Sequence, residues 1–414
     1  MGKKIIGIGL AALLLLSTGC ASMLNRDYSS VVPHSATPVA EGDSNTMRVE
    51  NYQELVNALI YLVNQGEESG SIRYSGEEAD FKKLLDEACL EVTKEDPLGA
   101  YAVDYIKYSV LSIVGSYEAD VQITYRRTRE QVASIVDATG AAAIRSELSR
   151  ALSAFSTEVV LRISYFEEDE SYIQQLVREA YLSNPAAALD FPDAQVAMYP
   201  DSGQQRIVEV TLTYHQSLQT LESRRNSLAR EAERLCQPLE TLTNTREKLA
   251  GIIRALQSAG VYSAQGGSTA YDALLGDGGD SQGAALAFCL LCRQVGITCS
   301  VVDGQKNGES HFWNVVQTAS GYRHVDLSRS GSVTYDLDHT MTEQGYVWDT
   351  QQVPACSGIG TENYFKTFGK LVDIGKNSVI IPIVACECSS SGRAPPCQGG
   401  GSEFEPRHSL QVTK

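Results

Sequence analysis

The chain has 414 residues, of which 43% are hydrophobic and 21% are charged, and its formal net charge at pH 7 is -17. This length is enough for about two to three domains with a sizeable buried core. The acidic balance and the lack of a lysine and arginine cluster exclude a nucleic-acid-binding surface, because phosphate recognition needs clustered positive charge.

Residues 1–19 have the pattern of an export signal. Two lysines precede an apolar run over 5–16, which is shorter than the about 20 residues that a membrane-spanning helix needs. The run leads to "LSTGC", which resembles a bacterial lipoprotein signal. The resemblance implies lipidation of Cys20 and a membrane anchor on the extracytoplasmic face of the cell. A simple secretory signal is the alternative. Residues 20–45 are predicted to be a flexible tether.

Residues 46–216 are predicted to contain two repeated α+β units. In each unit a helix, a strand, a helix and a strand follow in that order, and the strand ends match in kind: "SIRYS" against "RISYF", and "VQITY" against "VTLTY". Apolar and polar residues alternate along these strands, so each strand has one buried face. Duplication explains this better than coincidence. The predicted helices are 52–64, 77–92, 141–155 and 171–182, and the predicted strands are 70–75, 117–126, 158–166 and 206–214.

Residues 217–258 are predicted to be a helical connector that Pro238 interrupts. Two packing helices are the simplest interpretation, and a coiled-coil partner site is the alternative. Over 259–385 the pattern changes again. A Gly- and Ser-rich loop leads to one apolar helix, which Gly296 ends. Strands then follow, predicted at 298–303, 311–317, 322–328 and 378–384.

The ten cysteines include Cys20, which leaves an odd number, nine, for the rest of the chain. Export permits disulfides, but the spacing shows no paired CxxC pattern for a metal, and we expect neither a metal site nor a cofactor. Cys289, Cys292 and Cys299 lie in apolar surroundings and are predicted to be buried core thiols. Residues 386–414 are predicted to be a disordered tail.

Five motifs, which follow one another along the chain, resemble those of a known family. They are "TAYDAL", "GDSQGAALAF", "SHFWNVV", "YRHVDLS" and "GYVWDTQQVPAC", spread over about 245–356. This region resembles the transglutaminase-like domain of bacterial envelope proteins. The resemblance implies an α+β, papain-like fold in which a helix packs on an antiparallel sheet. It also implies a Cys–His–Asp triad, with His311 as the base, Asp326 as the group that orients it, and binding roles for Gln282, Trp313 and Asn314.

The residues support the His311 and Asp326 pair without the family. If 311–317 and 322–328 form a hairpin around "TASG", the two side chains lie on one face of the sheet, directly opposite each other. At that spacing an imidazole can hydrogen-bond to a carboxylate. The alternative is a structural histidine beside an aspartate that caps a turn.

The position of the nucleophile is the exception, because Ser281 stands where the family has cysteine. A helix N-terminus and an imidazolium lower the pKa of a thiol, whereas a hydroxyl needs general-base catalysis and a well-placed oxyanion hole. Cys289 and Cys292 cannot replace it, since they lie about 12 Å and 16 Å further along the helix. The family also places a Thr–Trp pair after "HVD", where this chain has Ser328 and Arg329.

The sequence therefore favours an envelope lipoprotein whose transglutaminase-like domain is a catalytically impaired pseudoenzyme. Such a module would bind extracellular peptide, protein or cell-wall segments. The alternative is an active amide or ester hydrolase, or an acyl transferase, with a Ser281–His311–Asp326 triad. A third hypothesis gives the activity to the repeated α+β units, as an interaction platform.

Overall fold

The computed structural model describes residues 39–40, 46–76, 80–113, 115–329 and 332–357. The predicted signal, Cys20, the strand predicted at 378–384 and the predicted tail lie outside these residues. Within the described part of the chain, no helix is long and apolar enough to cross a membrane. The chain divides into two compact units, one formed by Met1–Asp137, Val160–Glu167 and Met198–Val208, and the other by the remaining segments.

The first unit contains a five-stranded sheet in the order β1-β2-β3-β5-β4, in which β2 and β3 are parallel and the other neighbours antiparallel. Helix α1 begins where Asn51 accepts a hydrogen bond from the Glu54 N–H and ends at Gly66, which has a left-handed φ of 66°. Its apolar stripe is buried, as amphipathic periodicity predicts. The elements are β1 (Val39–Ala40), β2 (Thr46–Val49), α1 (Tyr52–Gln65), β3 (Ser69–Tyr74), α2 (Phe81–Lys94), α3 (Pro97–Ala102), β4 (Val103–Ile113), β5 (Ser116–Tyr125) and α4 (Arg129–Ala133).

The following segment has the same order of strands and long helices as the segment from β2 to β5, without a counterpart of the short helix α3. Its sheet has the order β6-β7-β9-β8, which corresponds to β2-β3-β5-β4 in the first sheet. A common origin of the two segments remains a prediction. Strands β4 and β8 were not predicted, and each lies at the end of its sheet, where one face or edge is left without a neighbour and the buried pattern weakens. The elements are β6 (Val136–Ala138), α5 (Gly140–Ser153), β7 (Glu158–Ser164), α6 (Glu170–Leu182), β8 (Asp193–Tyr199) and β9 (Gln205–Thr213).

The second unit contains an antiparallel five-stranded sheet in the order β14-β13-β12-β11-β15, with one apolar helix, α10, packed against it. The α+β class and the helix-on-sheet arrangement are confirmed. Pro238 lies in a short 3₁₀ turn between α7 and α8. The elements are α7 (Leu218–Cys236), α8 (Thr245–Ser258), β10 (Tyr262–Gly267), α9 (Ala270–Leu275), α10 (Ser281–Gln294), β11 (Cys299–Lys306), β12 (Glu309–Thr318), β13 (Gly321–Arg329), β14 (Ser332–Asp336), α11 (Asp338–Glu343) and β15 (Tyr346–Trp348).

Helix α10 is buried on all sides over its middle turns, which explains its continuous run of apolar residues. A Cβ added at Gly283 would lie 2.5 Å from the Gly267 carbonyl oxygen, so the glycine permits the helix to approach that loop closely. The prediction of buried core thiols is confirmed for Cys289, Cys292 and Cys299. Burial raises the pKa of the Cys292 thiol, which is therefore a poor nucleophile.

Candidate active site

Ser281 is the first residue of α10. The residue before it, Asp280, caps the helix: one carboxylate oxygen accepts from the Gly283 N–H at 2.9 Å, and the other from the Ser268 hydroxyl at 2.6 Å. Gln282 donates to the Ser268 carbonyl oxygen at 3.0 Å, so the predicted binding residue also fastens the loop that precedes the helix. The helix start is thus well ordered by local hydrogen bonds, with a carboxylate already at its positive end.

His311 and Asp326 lie on neighbouring strands, and the imidazole Nε2 is 2.9 Å from the Asp326 Oδ2. The predicted register was wrong by two residues. Asn314 pairs with Val325, which places Ser328, and not Asp326, opposite His311. The contact survives because strand side chains alternate, so a shift of two residues leaves Asp326 on the same face as a diagonal neighbour.

The Asp326 carboxylate is almost fully buried, with 2% of its side chain exposed. Its Oδ2 also accepts from the Tyr346 hydroxyl at 2.5 Å and the Lys306 ammonium at 3.2 Å, while Oδ1 accepts from the Ser328 N–H at 2.8 Å. Burial alone would raise the pKa of Asp326, but the hydrogen bond and charge of His311, with the bonds from Ser328 and Tyr346, hold it well below its usual range. The site therefore contains a permanently ionised, fully bonded carboxylate.

Ser281 is held by a different partner from the one its predicted role requires. Its Oγ accepts a hydrogen bond from the Phe312 N–H at 3.3 Å. That N–H lies just beyond the end of the β12–β13 ladder, which begins at the pair Asn314 and Val325. Among the described residues no hydrogen bond joins Ser281 to His311. The three residues of the predicted triad thus come to one region, but only His311 and Asp326 are bonded to each other.

The ring of His311 is oriented by its Nε2 edge. Since Asp326 is ionised, Nε2 carries the proton and donates to it, and the Ser328 hydroxyl lies 3.0 Å from the same nitrogen. Nδ1 has no hydrogen-bond partner among the described residues. With 13% of its side chain exposed, His311 has a nitrogen that is able to act as a base.

The other two predicted binding residues lie in the core. Trp313 and Asn314 are each 1% exposed. The Trp313 indole N–H donates to His324 Nδ1 at 2.9 Å, and the Asn314 amide donates to the Ala285 carbonyl oxygen of α10 at 2.9 Å. In this structure Trp313 therefore packs beneath the sheet surface, while Asn314 fastens β12 to the helix.

One group in the described part of the chain has the donor types for a metal ion: His324, Asp338 and Cys356, whose ligand atoms lie within 4.8 Å of one another. The residues do not fit a bound metal. Since the Trp313 N–H donates to Nδ1, Nε2 of His324 carries the ring proton and donates to Asp338 Oδ1 at 2.8 Å, so no lone pair faces the group. Burial, together with Asp338, raises the pKa of the Cys356 thiol to about 12.

Comparison with known proteins gives one match to a family model. Residues 233–327 match the model described as the transglutaminase-like superfamily. These residues form a transglutaminase-like domain. The match includes Ser281, His311 and Asp326, whereas Ser328 and Tyr346 lie beyond its end. No curated protein matches the chain.

Solved structures give only distant likenesses to this chain. A crystal structure described as a TGase is 11% identical, over 62% of this chain and 77% of the other, with a TM-score of 0.25. A putative protease from Parabacteroides distasonis ATCC 8503 is also 11% identical, over 65% of this chain and 43% of the other, with a TM-score of 0.21. At these values neither supports an argument about chemistry.

Two residues of the site, Lys306 and Tyr346, were missed at the level of sequence, and Ser328 was noted only as a departure from the family pattern. Lys306 and Tyr346 pair across β11 and β15, and the Lys306 ammonium also contacts the Tyr346 hydroxyl and ring. Tyr346 lies in "GYVWDTQQVPAC", which carried the resemblance, so a signal was present for it. Lys306 gave none, because its role depends on a register that only the folded sheet defines.

Proposed function

We propose that the protein is an envelope lipoprotein whose transglutaminase-like domain is catalytically impaired and binds extracytoplasmic peptide, protein or cell-wall segments. The observation that carries this proposal is the hydrogen bond from the Phe312 N–H to Ser281 Oγ, in place of a bond between Ser281 and His311. A serine nucleophile depends on direct proton transfer to its base, so a hydroxyl held elsewhere is poorly placed for attack.

The surroundings of Asp326 support the same proposal. In a thiol triad the carboxylate stabilises the imidazolium that balances the thiolate. Here the Lys306 ammonium lies 3.2 Å from the same carboxylate oxygen that His311 contacts. A cation that shares Asp326 with the imidazole reduces the stabilisation left for an imidazolium. Asp280, at the helix start, further disfavours an anion at position 281.

One observation favours the second candidate, an amide or ester hydrolase or acyl transferase with Ser281 as nucleophile. His311 is oriented by Asp326 through Nε2, and its Nδ1 has no hydrogen-bond partner in the described part of the chain. A neutral, oriented imidazole with a lone pair is what general-base activation of a hydroxyl requires. A side-chain rotation at Ser281 would then be needed to bring the hydroxyl to that nitrogen.

Covalent labelling separates the two candidates. The native protein is treated with a serine-directed fluorophosphonate, and the Ser281→Cys variant with a cysteine-directed acyl probe; each experiment is repeated with His311→Ala. We expect no labelling of the native protein, and labelling of the Ser281→Cys variant that His311→Ala reduces. Labelling of native Ser281 that is lost in His311→Ala would overturn the pseudoenzyme proposal and establish the second candidate.

The membrane anchor is proposed separately, from the "LSTGC" resemblance and Cys20. In cells that process lipoproteins we expect Cys20→Ala to move the protein from the membrane fraction to the soluble fraction and to abolish incorporation of a labelled fatty acid. Cys236→Ala, at a buried cysteine, is the control and should keep both. Membrane association that persists in Cys20→Ala without acylation would contradict lipid anchoring.

A further inference from the structure

One edge of β11 is only partly paired. On one side β11 pairs with β12 along its whole length, from Cys299 to Lys306. On the other side its neighbour is β15, which pairs only with Gly304–Lys306. Among the described strands, none pairs with the remaining residues on that side. Since an unpaired strand edge is a template for another chain, this stretch is where a further strand could add.

The ladder defines which backbone groups face this edge. The Thr298 carbonyl oxygen accepts from Gln317, on the β12 side, and the Asn307 N–H donates to Gly345, on the β15 side. Because backbone groups alternate between the two sides of a strand, the N–H and C=O groups of Val301 and Asp303 point away from β12. The next such carbonyl, that of Cys299, accepts from the Arg293 guanidinium, with Nε at 3.2 Å. The pair Gly304 and Trp348 places the Asp349 N–H on the Asp303 carbonyl oxygen. The open backbone groups of this edge are therefore the N–H and C=O of Val301 and the N–H of Asp303.

This open edge lines a cavity of about 640 Å3, which we call the β11 groove and which lies entirely within the second unit. Its opposite wall is formed by α5 and α6. Two ion pairs border it, Arg145 with Glu179 at 2.8 Å, and Arg178 with Asp303. Serine hydroxyls and the amides of Gln175 and Gln352 add polar groups, and apolar side chains line the rest of the groove. The volume lies in the range of known ligand sites, and the lining combines polar and apolar surface.

We propose that the β11 groove binds an extended polar peptide segment of another protein, which adds to β11 as a strand in line with β15. The open N–H and C=O of Val301 and the open N–H of Asp303 supply the main-chain hydrogen bonds, and such bonds are the affinity-determining part of strand addition. The flanking arginines are already paired with carboxylates, so the groove matches polar side chains and not a strongly charged peptide. The proposal does not depend on the chemistry of Ser281.

The test uses the purified full-length protein and a pool of fluorescent decapeptides with Ser, Thr, Asn, Gln, Lys or Glu randomised at each position. The tightest peptide is then measured against two variants by fluorescence polarisation. Val301→Pro removes the outward N–H without touching the β12 ladder, whereas Val301→Ala keeps that N–H and removes only the side chain. We expect Val301→Pro to weaken binding about tenfold and Val301→Ala to change it by less than about threefold.

A ligand-side experiment keeps the proposal falsifiable if Val301→Pro fails to fold. The selected peptide is N-methylated at one position at a time. Strand addition predicts losses at every second residue, because alternate N–H groups face the protein. Losses without this period, or no binding in the pool, would overturn the proposal. So would binding that appears only after residues 358–414 are deleted, or self-association through the same edge, since the occupant would then be this chain.

Discussion

Two histidine–aspartate pairs lie on the same sheet of the second unit, and their geometry is nearly the same. His311 Nε2 is 2.9 Å from Asp326 Oδ2, and His324 Nε2 is 2.8 Å from Asp338 Oδ1. They differ at the other ring nitrogen. His324 is fully buried and its Nδ1 accepts from Trp313, whereas Nδ1 of His311 has no hydrogen-bond partner in the described part of the chain.

A histidine–aspartate hydrogen bond is therefore not in itself evidence of a catalytic site. The buried imidazole of His324 uses both ring nitrogens, one with Trp313 and one with Asp338, and so links β12, β13 and α11. The pair at His311 has one unused nitrogen, and its carboxylate also contacts a lysine and a tyrosine. A catalytic role is indicated by Nδ1 of His311, which has no partner among the described residues, and by the nearby start of α10. The histidine–aspartate pair alone does not indicate it.

The largest expected difference between the pairs is in stability. His324→Ala leaves the buried Trp313 N–H without its acceptor, leaves Asp338 with the Cys356 N–H as a donor, and creates a cavity. We therefore expect a loss of about 3 kcal/mol in the free energy of unfolding. His311→Ala should cost about 1 kcal/mol, because Asp326 keeps three other donors. Urea unfolding monitored by tryptophan fluorescence measures both. Equal losses would contradict the distinction drawn between the two pairs.

The cation at Asp326 is the next feature that separates the pairs, since no described lysine or arginine ion pair involves Asp338. Lys306→Met leaves a buried carboxylate with one charge partner fewer, so we expect a loss of about 2 kcal/mol. The matched control is Lys83→Met, which removes an exposed helical ion pair with Glu87 at 3.7 Å and should cost less than about 0.5 kcal/mol. Urea unfolding of both variants tests this. If Lys306→Met lost as little stability as Lys83→Met, solvent would screen the ion pair between Lys306 and Asp326.

The sequence predicted that His311 and Asp326 come together because this contact requires only that both side chains lie on the same face of neighbouring strands. An error of two residues in register left both on that face. The contact of Ser281 with the Phe312 N–H could not be predicted in this way, since it exists only because the β12–β13 ladder stops at Asn314. Just past the end of this ladder, the pairing of β13 with β14 has an irregular register between Asp326 and Arg329, and such an irregularity has no distinct local signature.

The same reasoning explains what was missed elsewhere. Lys306 and Tyr346 meet because β15, only three residues long, pairs with the end of β11. A three-residue strand is too short for an alternating pattern to be recognised. The two predicted α+β units illustrate the opposite case. Their long amphipathic helices and the strands β3, β5, β7 and β9 were predicted close to their observed bounds, whereas the strands β2, β4, β6 and β8 were missed.

His324 should also make the free energy of unfolding depend on pH, and this effect is smaller. Burial lowers the pKa of His324, partly offset by Asp338. A proton then favours the unfolded chain, so the contribution of His324 is complete above about pH 6.5 and is lost as the pH falls below that value. Between pH 7.5 and 5.5 we expect His324→Gln to reduce the acid-dependent loss in unfolding free energy by about 1 kcal/mol.

His311→Gln is the control for this pH experiment, and it should leave the acid-dependent loss attributed to His324 in place. Urea unfolding of the native protein and both variants at the two pH values provides the measurement. If His324→Gln left the pH dependence unchanged, the difference in burial would not control proton binding by His324.

The smallest expected effect is at Ser328, whose hydroxyl lies 3.0 Å from His311 Nε2. Nε2 has one proton and directs it at the ionised Asp326, so the Ser328 oxygen receives at most a share of that hydrogen bond. The backbone N–H of Ser328, which donates to Asp326 Oδ1 at 2.8 Å, is the stronger contact and survives the loss of the hydroxyl. Ser328→Ala should therefore cost less than about 0.5 kcal/mol in urea unfolding. A loss as large as that of His311→Ala would show instead that the hydroxyl, and not Asp326, is the main partner that orients the imidazole.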